Sequence, residues 1–334
     1  MLNEQNPVLK YLLENKDSYT SGQKLADSLD LSRNAIWKAI QKYRKEGFEI
    51  TSKTKKGYCL LAYPKNFHPG LLKLLMNQRG IPLNIYFKEE VTSTNELVKG
   101  LFVPEQYEEG SLLVAKKQTQ GRGRRGKKFY SNLAGGYYLS LAIRPKNIGM
   151  EEIPLYTILT AASLVLTLED YVPQQLLIKW VNDIFYDRKK IAGILTEMQT
   201  DVETNDITHL IIGLGLNLYG DFDQATSDVK AVAGTLFGPQ APDHFNINQF
   251  FLEFLTHFFY FQEHFSQRLF LSPYRDHLMG LHQHITYQIQ GQEREGTILG
   301  INDLGHLQVK NRAGKLETLY GQEISLGSKQ FTKH

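Results

Sequence analysis

The residues best suited to chemistry crowd into one short stretch. Gly121-Arg122-Gly123-Arg124-Arg125-Gly126-Lys127-Lys128 carries five cationic side chains and three glycines in eight positions. It satisfies the pattern GxGxxG, and it satisfies the P-loop pattern except that Lys128 stands where a hydroxyl residue is needed. Context excludes both readings. A dinucleotide fingerprint opens a helix, whereas Phe129–Gly136 leads into another apolar strand. A P-loop uses its Ser or Thr for magnesium and cradles phosphate with backbone amides. What remains is a cationic loop suited to a polyanion such as ATP or an acyl-adenylate, or a merely solvated basic loop. Three glycines between two apolar strands favour the first. Glycine leaves such a loop free and five like charges hold it open, so an anion should close it over a site.

Elements of two kinds surround this loop. Before it, Val8, Leu9, Leu12 and Leu13 make the apolar stripe of a short helix over 5–15, and Ser21 and Ser32 are placed to cap two more. Asp30-Leu31 forms the tight turn between them, and Gly47 ends the third helix. Strands at Phe48–Ser52 and Tyr58–Leu60 flank a lysine-rich tip, Lys53-Thr54-Lys55-Lys56-Gly57. Three helices and a basic hairpin describe a winged helix-turn-helix. Residues 1–62 hold eleven Lys/Arg against seven Asp/Glu, so the basic excess of the chain lies here. The third helix would enter the major groove while the wing grips phosphate, a role that a solvated basic face would not need. Ser32, Arg33, Asn34, Trp37, Lys38 and Lys42 on the helix and Lys53, Lys55 and Lys56 on the wing are the candidate DNA-binding residues. Gln41, Arg44 and Lys45 are also read onto the outer face of the helix.

After Pro64 and His68-Pro69-Gly70, a helix over Leu71–Arg79 links to a region of different period. Strands are expected at Ile85–Phe87, Ser111–Lys116, Gly135–Ile143, Leu177–Trp180, Ile191–Glu197 and His209–Leu216, with a helix over Ile153–Tyr171. This is α+β, without the regular strand–helix repeat of a doubly wound sheet.

Five ordered segments now resemble the bacterial biotin protein ligases that double as biotin operon repressors. Gly121–Gly126 resembles their biotin-binding loop, Ser93-Thr94-Asn95-Glu96 their STN segment, and Lys179-Trp180-Val181-Asn182-Asp183 the motif KWPND. Lys190-Ile191-Ala192-Gly193-Ile194-Leu195 resembles KLAGIL, and Gly213-Leu214-Gly215-Leu216-Asn217 resembles GIGIN. Gln118 stands three residues before the loop, as in the family. The resemblance implies a central mixed-sheet catalytic domain of the class II synthetase type. It implies that biotin and ATP form biotinyl-AMP, from which a lysine of a biotin carboxyl carrier protein takes the acyl group. The carried-over catalytic residues are Lys190, Arg122 and Arg124. Biotin would meet Ser93, Thr94, Asn95, Gln118, Arg122, Gly123, Arg124, Lys190 and Gly193. The adenylate would meet Arg124, Arg125, Lys127, Lys128, Phe129 and Asn217. Asp183 is a candidate magnesium ligand or partner of a lysine amine. The family also implies a homodimer when the adenylate is bound, meeting a palindromic operator. Departures are Val181 for proline, Thr92 before Ser93, Lys127 for arginine, Phe129 for tryptophan and no aromatic at Ala233.

After Pro273, segments at His284–Gln290, Glu293–Ile301, Leu307–Lys310 and Leu316–Tyr320 alternate in polarity, with turns at Asp303-Leu304-Gly305 and Arg312-Ala313-Gly314. They resemble the family's SH3-like C-terminal barrel. The resulting division is 1–63 for DNA binding, 64–277 for a linker helix and catalysis, and 278–334 for the barrel. The single cysteine, Cys59, suits a reducing cytoplasm. No signal peptide and no uninterrupted apolar run of about eighteen residues is evident, so no membrane partner is expected. The ten histidines lack metal-ligand spacing. Two rivals remain open: a small-molecule sensor without catalysis, and a lipoate ligase using the same adenylation chemistry.

Overall fold

Ser21 and Ser32 do cap helices, and that organises the N-terminal region. The computed structural model describes residues 7–81, 83–101, 110–145, 148–200, 207–289, 291–321 and 324–326. The chain divides into two compact units, the first running to Ile85 and including Asp243–Glu253. In it, α1 is Pro7–Glu14, α2 Gly22–Leu29 and α3 Arg33–Lys45, followed by β1 Glu49–Lys53 and β2 Gly57–Ala62. The Ser21 and Ser32 hydroxyls accept from the Lys24 and Ala35 amides at 3.1 Å each, satisfying donors that a helix start leaves free. Asp30 closes α2 in the left-handed conformation at φ 51°. Leu25, Ile36 and Ile40 are fully buried with the α1 stripe. Thr20 pairs with Tyr58, locking the start of β2 against the helices, and Gly57 is required there: a Cβ would fall 2.1 Å from the Thr20 carbonyl oxygen. The linker helix, α4 Pro69–Gln78, is capped by His68, whose Nδ1 accepts from the Leu71 amide at 2.9 Å. Nε2 therefore carries the proton and donates to Glu46 at 3.2 Å.

The second unit is built on a seven-stranded sheet. Its strands are β3 Leu83–Val91, β4 Gly110–Gln118, β5 Gly136–Ile143, β6 Leu177–Lys179, β7 Asp183–Tyr186, β8 Lys189–Thr200 and β9 Ile207–Asn217, in the order β3-β4-β5-β9-β8-β7-β6. Along that order the pairs from β4 to β6 are antiparallel. Between these strands run α5 Thr94–Leu101 and α6 Ile153–Glu169, and after them come α7 Ser227–Val232, α8 Ile247–Glu263 and α9 Leu271–Asp276. Successive strand residues face opposite sides, so each face of the sheet has its own helix. On one face Val98 of α5 is buried against Leu113, Ala142 and Ile211. On the other, Thr157 of α6 meets Thr196 of β8 at 2.8 Å.

Met150–Glu169 reaches the length and hydropathy of a membrane helix, although the sequence shows no uninterrupted apolar run of that length. It is a core helix, buried on every side from Leu155 to Val165. Thr160, Ser163 and Thr167 donate to the carbonyls four residues back, so their hydroxyls are satisfied inside the core.

The C-terminal strands are β10 His284–Ile289, β11 Gln292–Ile301, β12 Leu307–Asn311, β13 Leu316–Leu319 and β14 Ile324–Leu326, in the order β13-β12-β11-β10-β14. Among the described residues this sheet is open. Closing a barrel requires the edge strands to pair, but the three residues of β14 pair with β10 and β13 pairs with β12. The expected SH3-like barrel is thus, as far as described, a five-stranded antiparallel sheet. It braces the KWVND segment: the Trp180 indole donates to the Gly305 carbonyl at 2.9 Å.

Candidate active site

Two adjoining hollows lie on the α5 face of the large sheet. The first is a narrow slot of about 30 Å³. Gly193 and Leu195 of β8 and Gly213 and Gly215 of β9 form its floor. The glycines are needed there: a Cβ would come within 2.3 Å of Asn95 Oδ1 at Gly213, and within 2.4 Å of the Phe129 ring at Gly215. Its end wall is the start of α5, where Ser93, Thr94 and Asn95 are all at least 96% buried. Gln118, closing β4, is fixed in one orientation. Its Oε1 accepts from the Thr94 amide and hydroxyl at 2.8 and 3.1 Å, while its Nε2 donates to Ser131 Oγ at 3.1 Å. Such a slot, with fixed neutral donors and acceptors over a floor of three glycines and a leucine, suits a small flat polar ring.

The second hollow, about 200 Å³, shares Arg122, Phe129, Gly193 and Leu195 with the first. It is lined by seven cations, Arg122, Arg124, Arg125, Lys127, Lys128, Lys179 and Lys190, and by one carboxylate, Asp183. The loop is not splayed by its charges. Gly123 donates to the Lys127 carbonyl at 2.7 Å and Phe129 to that of Gly121 at 2.9 Å, making a tight hairpin. Protein groups hold Arg122 and Arg124. Arg122 pairs with Glu96 at 3.0 Å. Arg124 donates to Asn182 Oδ1 at 3.1 Å and to the Gly321 carbonyl at 2.5 Å. Arg125, Lys127 and Lys128 stay exposed at the mouth.

Lys190 enters the cavity because the β7–β8 register shifts: Ala192 pairs with Ile184 but Lys190 with Phe185, and this bulge at Ile191 turns Lys190 to the face of Gly193 and Leu195. Its neighbour Lys189 points away and donates to the Lys230 and Ala231 carbonyls at 3.1 and 2.9 Å, capping α7. Lys190 Nζ lies 2.6 Å from Asp183 Oδ1 and 5.5 Å from the centre of the Phe129 ring. Its carbonyl accepts from Gly234 at 2.9 Å, which lays the segment after α7 alongside it. Of the basic run Arg188-Lys189-Lys190, only Lys190 lines the cavity.

Lys179, Asn182 and the floor residues Leu195, Gly213 and Gly215 were not among the sequence-derived site residues, although each lies inside a quoted motif. Burial pushes the Lys179 amine below the usual lysine range. Asp183 opposes the shift, and Lys190, Lys127 and Arg124 add to it. Arg124 is also pushed down, by burial first and then by Arg125. An entering anion would relieve both. Asn217 lies beyond the linings of both hollows, on the same face of β9 as Gly213 and Gly215. It is 97% buried, and its Oδ1 has no hydrogen-bond partner among the described residues. A buried acceptor of this kind calls for a donor.

Ser32, Arg33, Asn34, Trp37, Lys38 and Lys42, with the wing residues Lys53, Lys55 and Lys56, are all solvent-exposed in the first unit. Trp37 is 52% exposed, a large fraction for a tryptophan. Arg44 departs from expectation: it turns inward and donates to the Ile50 carbonyl at 2.8 Å, bracing the wing.

Residues 87–217 match the biotin/lipoate A/B protein ligase family, and residues 4–59 match a helix-turn-helix domain. A protein of Bacillus spizizenii named bifunctional ligase/repressor BirA is 30% identical over 323 residues, spanning 92% of this chain and 94% of that protein. The chain belongs to the bifunctional biotin ligase/repressor family. Another family member, bifunctional ligase/repressor BirA of Bacillus subtilis, is 30% identical over 314 residues, 93% of this chain and 95% of its own length. The biotin protein ligase of Aquifex aeolicus, solved in complex with biotin and ATP, aligns with a TM-score of 0.59 and 24% identity. It covers 73% of this chain and 98% of that one, a likeness of fold. This ligase/repressor is thus a biotin protein ligase joined to a helix-turn-helix domain, with its polar slot and cationic cavity inside the ligase family match.

Proposed function

We propose that this chain joins biotin to a lysine of a biotin carboxyl carrier protein through biotinyl-AMP, and that the same adenylate drives repression of biotin genes. The observation that carries this is the continuity of the two hollows: a fixed polar slot opening into a cavity where seven cations surround one carboxylate. The slot takes the ureido ring through Ser93, Thr94, Asn95, Gln118 and the floor at Gly193. The valeryl chain then runs under Phe129, past Gly123, into the cationic cavity.

In the first step a biotin carboxylate oxygen attacks the α-phosphorus, a C–O–P linkage forms and pyrophosphate leaves. Two anions must be brought together, so charge compensation and positioning dominate. Lys190 leaves Asp183 for the carboxylate and α-phosphate. Arg122 leaves Glu96 for the same charge, and Arg124, already fixed by Asn182 and Gly321, needs no rearrangement. Arg125, Lys127 and Lys128 line the path of the outgoing pyrophosphate, and the unpaired Asn217 oxygen receives a donor from the adenylate. The loop shields the anhydride from water. In the second step the acceptor's amine attacks the acyl carbon, loses a proton, and AMP leaves.

No group of three or more His, Cys, Asp or Glu placed to hold a metal occurs among the described residues. The cavity's single carboxylate is already paired with Lys190. This donor set does not fit a resident magnesium ion, so Mg²⁺ belongs to the substrate, arriving with the phosphates of ATP. The proposed ligands ATP and DNA favour a cytoplasmic setting. Residues 1–63 would serve the operator, 64–277 the reaction, and 278–334 would brace the site as a small SH3-like module.

Incubation with labelled biotin, MgATP and an isolated carrier domain tests the reading. Label should appear on the carrier lysine, need ATP, and be outcompeted by biotin but not by lipoate. Transfer of lipoate instead would assign the chain to the other branch of the family match.

A further inference from the structure

Asn95 closes the ring slot, 96% buried, and the protein holds both ends of its amide. Ser140 Oγ donates to Asn95 Oδ1 at 2.5 Å, and Asn95 Nδ2 donates to Glu197 Oε2 at 2.5 Å. The two ends of a carboxamide are nearly equal in size, so shape does not choose between its two flips. Glu197 does. A carboxylate accepts and does not donate, so the NH₂ end must face it. Lys99 Nζ, 3.0 Å from Glu197 Oε1, compensates its charge. The carbonyl end is left to face Ser140 and Gly213, the latter part of the slot floor.

Strand register makes this arrangement. Glu197 lies two residues beyond Leu195 on the same face of β8, opposite Ile211. Ser140 of β5 stands opposite Gly213. Helix α5 is fixed over both by Val98.

We infer that Glu197 is a positioning residue for substrate selection: by setting the flip of Asn95 it makes the end wall of the slot a hydrogen-bond acceptor, matched to a ring that carries N–H donors. The inference rests on the biotin ligase reading. The cyclic urea of biotin supplies such donors and the dithiolane of lipoate does not, so lipoate would leave the second lone pair of this Ser140-bonded, buried acceptor unfilled, a basis for rejection.

Glu197→Gln tests this with little change of shape, because a glutamine amide can satisfy either flip of Asn95. Biotin should bind about tenfold more weakly by calorimetry without ATP, the size of one lost net hydrogen bond. The KM for ATP should stay within about twofold, kcat at saturating biotin should be largely retained, and discrimination against lipoate should fall. A purely structural role would lower thermal stability and weaken biotin and ATP alike, which would overturn the inference. The exchange Asn95→Asp/Glu197→Gln supplies a second reading. Asn95→Asp alone sets two carboxylates against each other and should lose biotin. In the double variant the glutamine donates to the aspartate, whose other oxygen still faces the ring, so binding should return. A double variant no better than Asn95→Asp also contradicts the inference. Wild-type protein that takes up no biotin overturns the ligase reading and this inference together. Wild-type uptake with unchanged affinity in Glu197→Gln overturns the inference alone.

Discussion

Lys190 and Asp183, 2.6 Å apart, form an ion pair that substrate would break under the proposed mechanism. Lys190→Ala should therefore lower the rate of biotinyl-AMP formation at least about tenfold, since such groups act on charge developing in the transition state. Arg122→Ala should do the same. Its pair with Glu96 is exposed on both sides, and such pairs contribute little to stability. Unchanged thermal midpoints with lost adenylation would place both residues on substrate, and wild-type rates in either variant would remove it from the mechanism. At this scale the motifs contain most of the residues that line the two hollows. They did not show that Lys179 shares the cavity, because its neighbours Lys127 and Arg124 are more than fifty residues away in sequence and meet it only through folding. Nor could they show that Asn217 stands apart from both hollows.

Helices and strands place these residues, and the glycine floor is where that can be tested. Gly215→Ala would set a methyl within 2.4 Å of the Phe129 ring. The ring must shift into the slot, so titration should show biotin affinity reduced about tenfold or more with the sheet intact. Unaltered affinity would mean that the ring lies elsewhere. The wing is the corresponding test in the first unit. Lys55→Ala/Lys56→Ala should weaken DNA binding regardless of sequence. It should also flatten the plot of log affinity against log salt by about 0.9 for each phosphate that the wing no longer neutralises. An unchanged slope would detach the wing from DNA. Most elements were legible because they carry local signals: capping serines, alternating strands, and glycines at turns such as Gly47, Gly57, Gly305 and Gly314. The long helix α8 was not assigned. Its Phe-rich INQFFLEFLTHFFYFQE leaves only a narrow outward stripe, Gln249, Glu253, Thr256, Tyr260 and Glu263, and its start packs within the first unit while the remainder lies in the second. Strand β7, only four residues long, lies between two motifs with just Asp183 inside one, too short for its alternation to stand out. The openness of the C-terminal sheet depends on which strands pair, which alternation alone does not encode.

As a whole molecule, the chain couples a ligand to DNA if the proposed account holds. Two adenylate-bound copies would present two winged helices to a palindromic operator. Biotinyl-AMP should then tighten DNA binding by about 1–3 kcal/mol, and DNA should favour adenylate binding equally. Footprinting upstream of biotin synthesis or transport genes, with and without the adenylate, checks the first half. Deleting residues 1–62 should abolish the footprint, and a footprint indifferent to the adenylate would leave an enzyme without regulation. All of this depends on the cavity making the adenylate, and ATP–pyrophosphate exchange measures that step with the intact chain. Exchange should be rapid with biotin, near background with neither acid, and much slower with lipoate. Exchange that ignores biotin, or that lipoate supports equally well, would contradict the account.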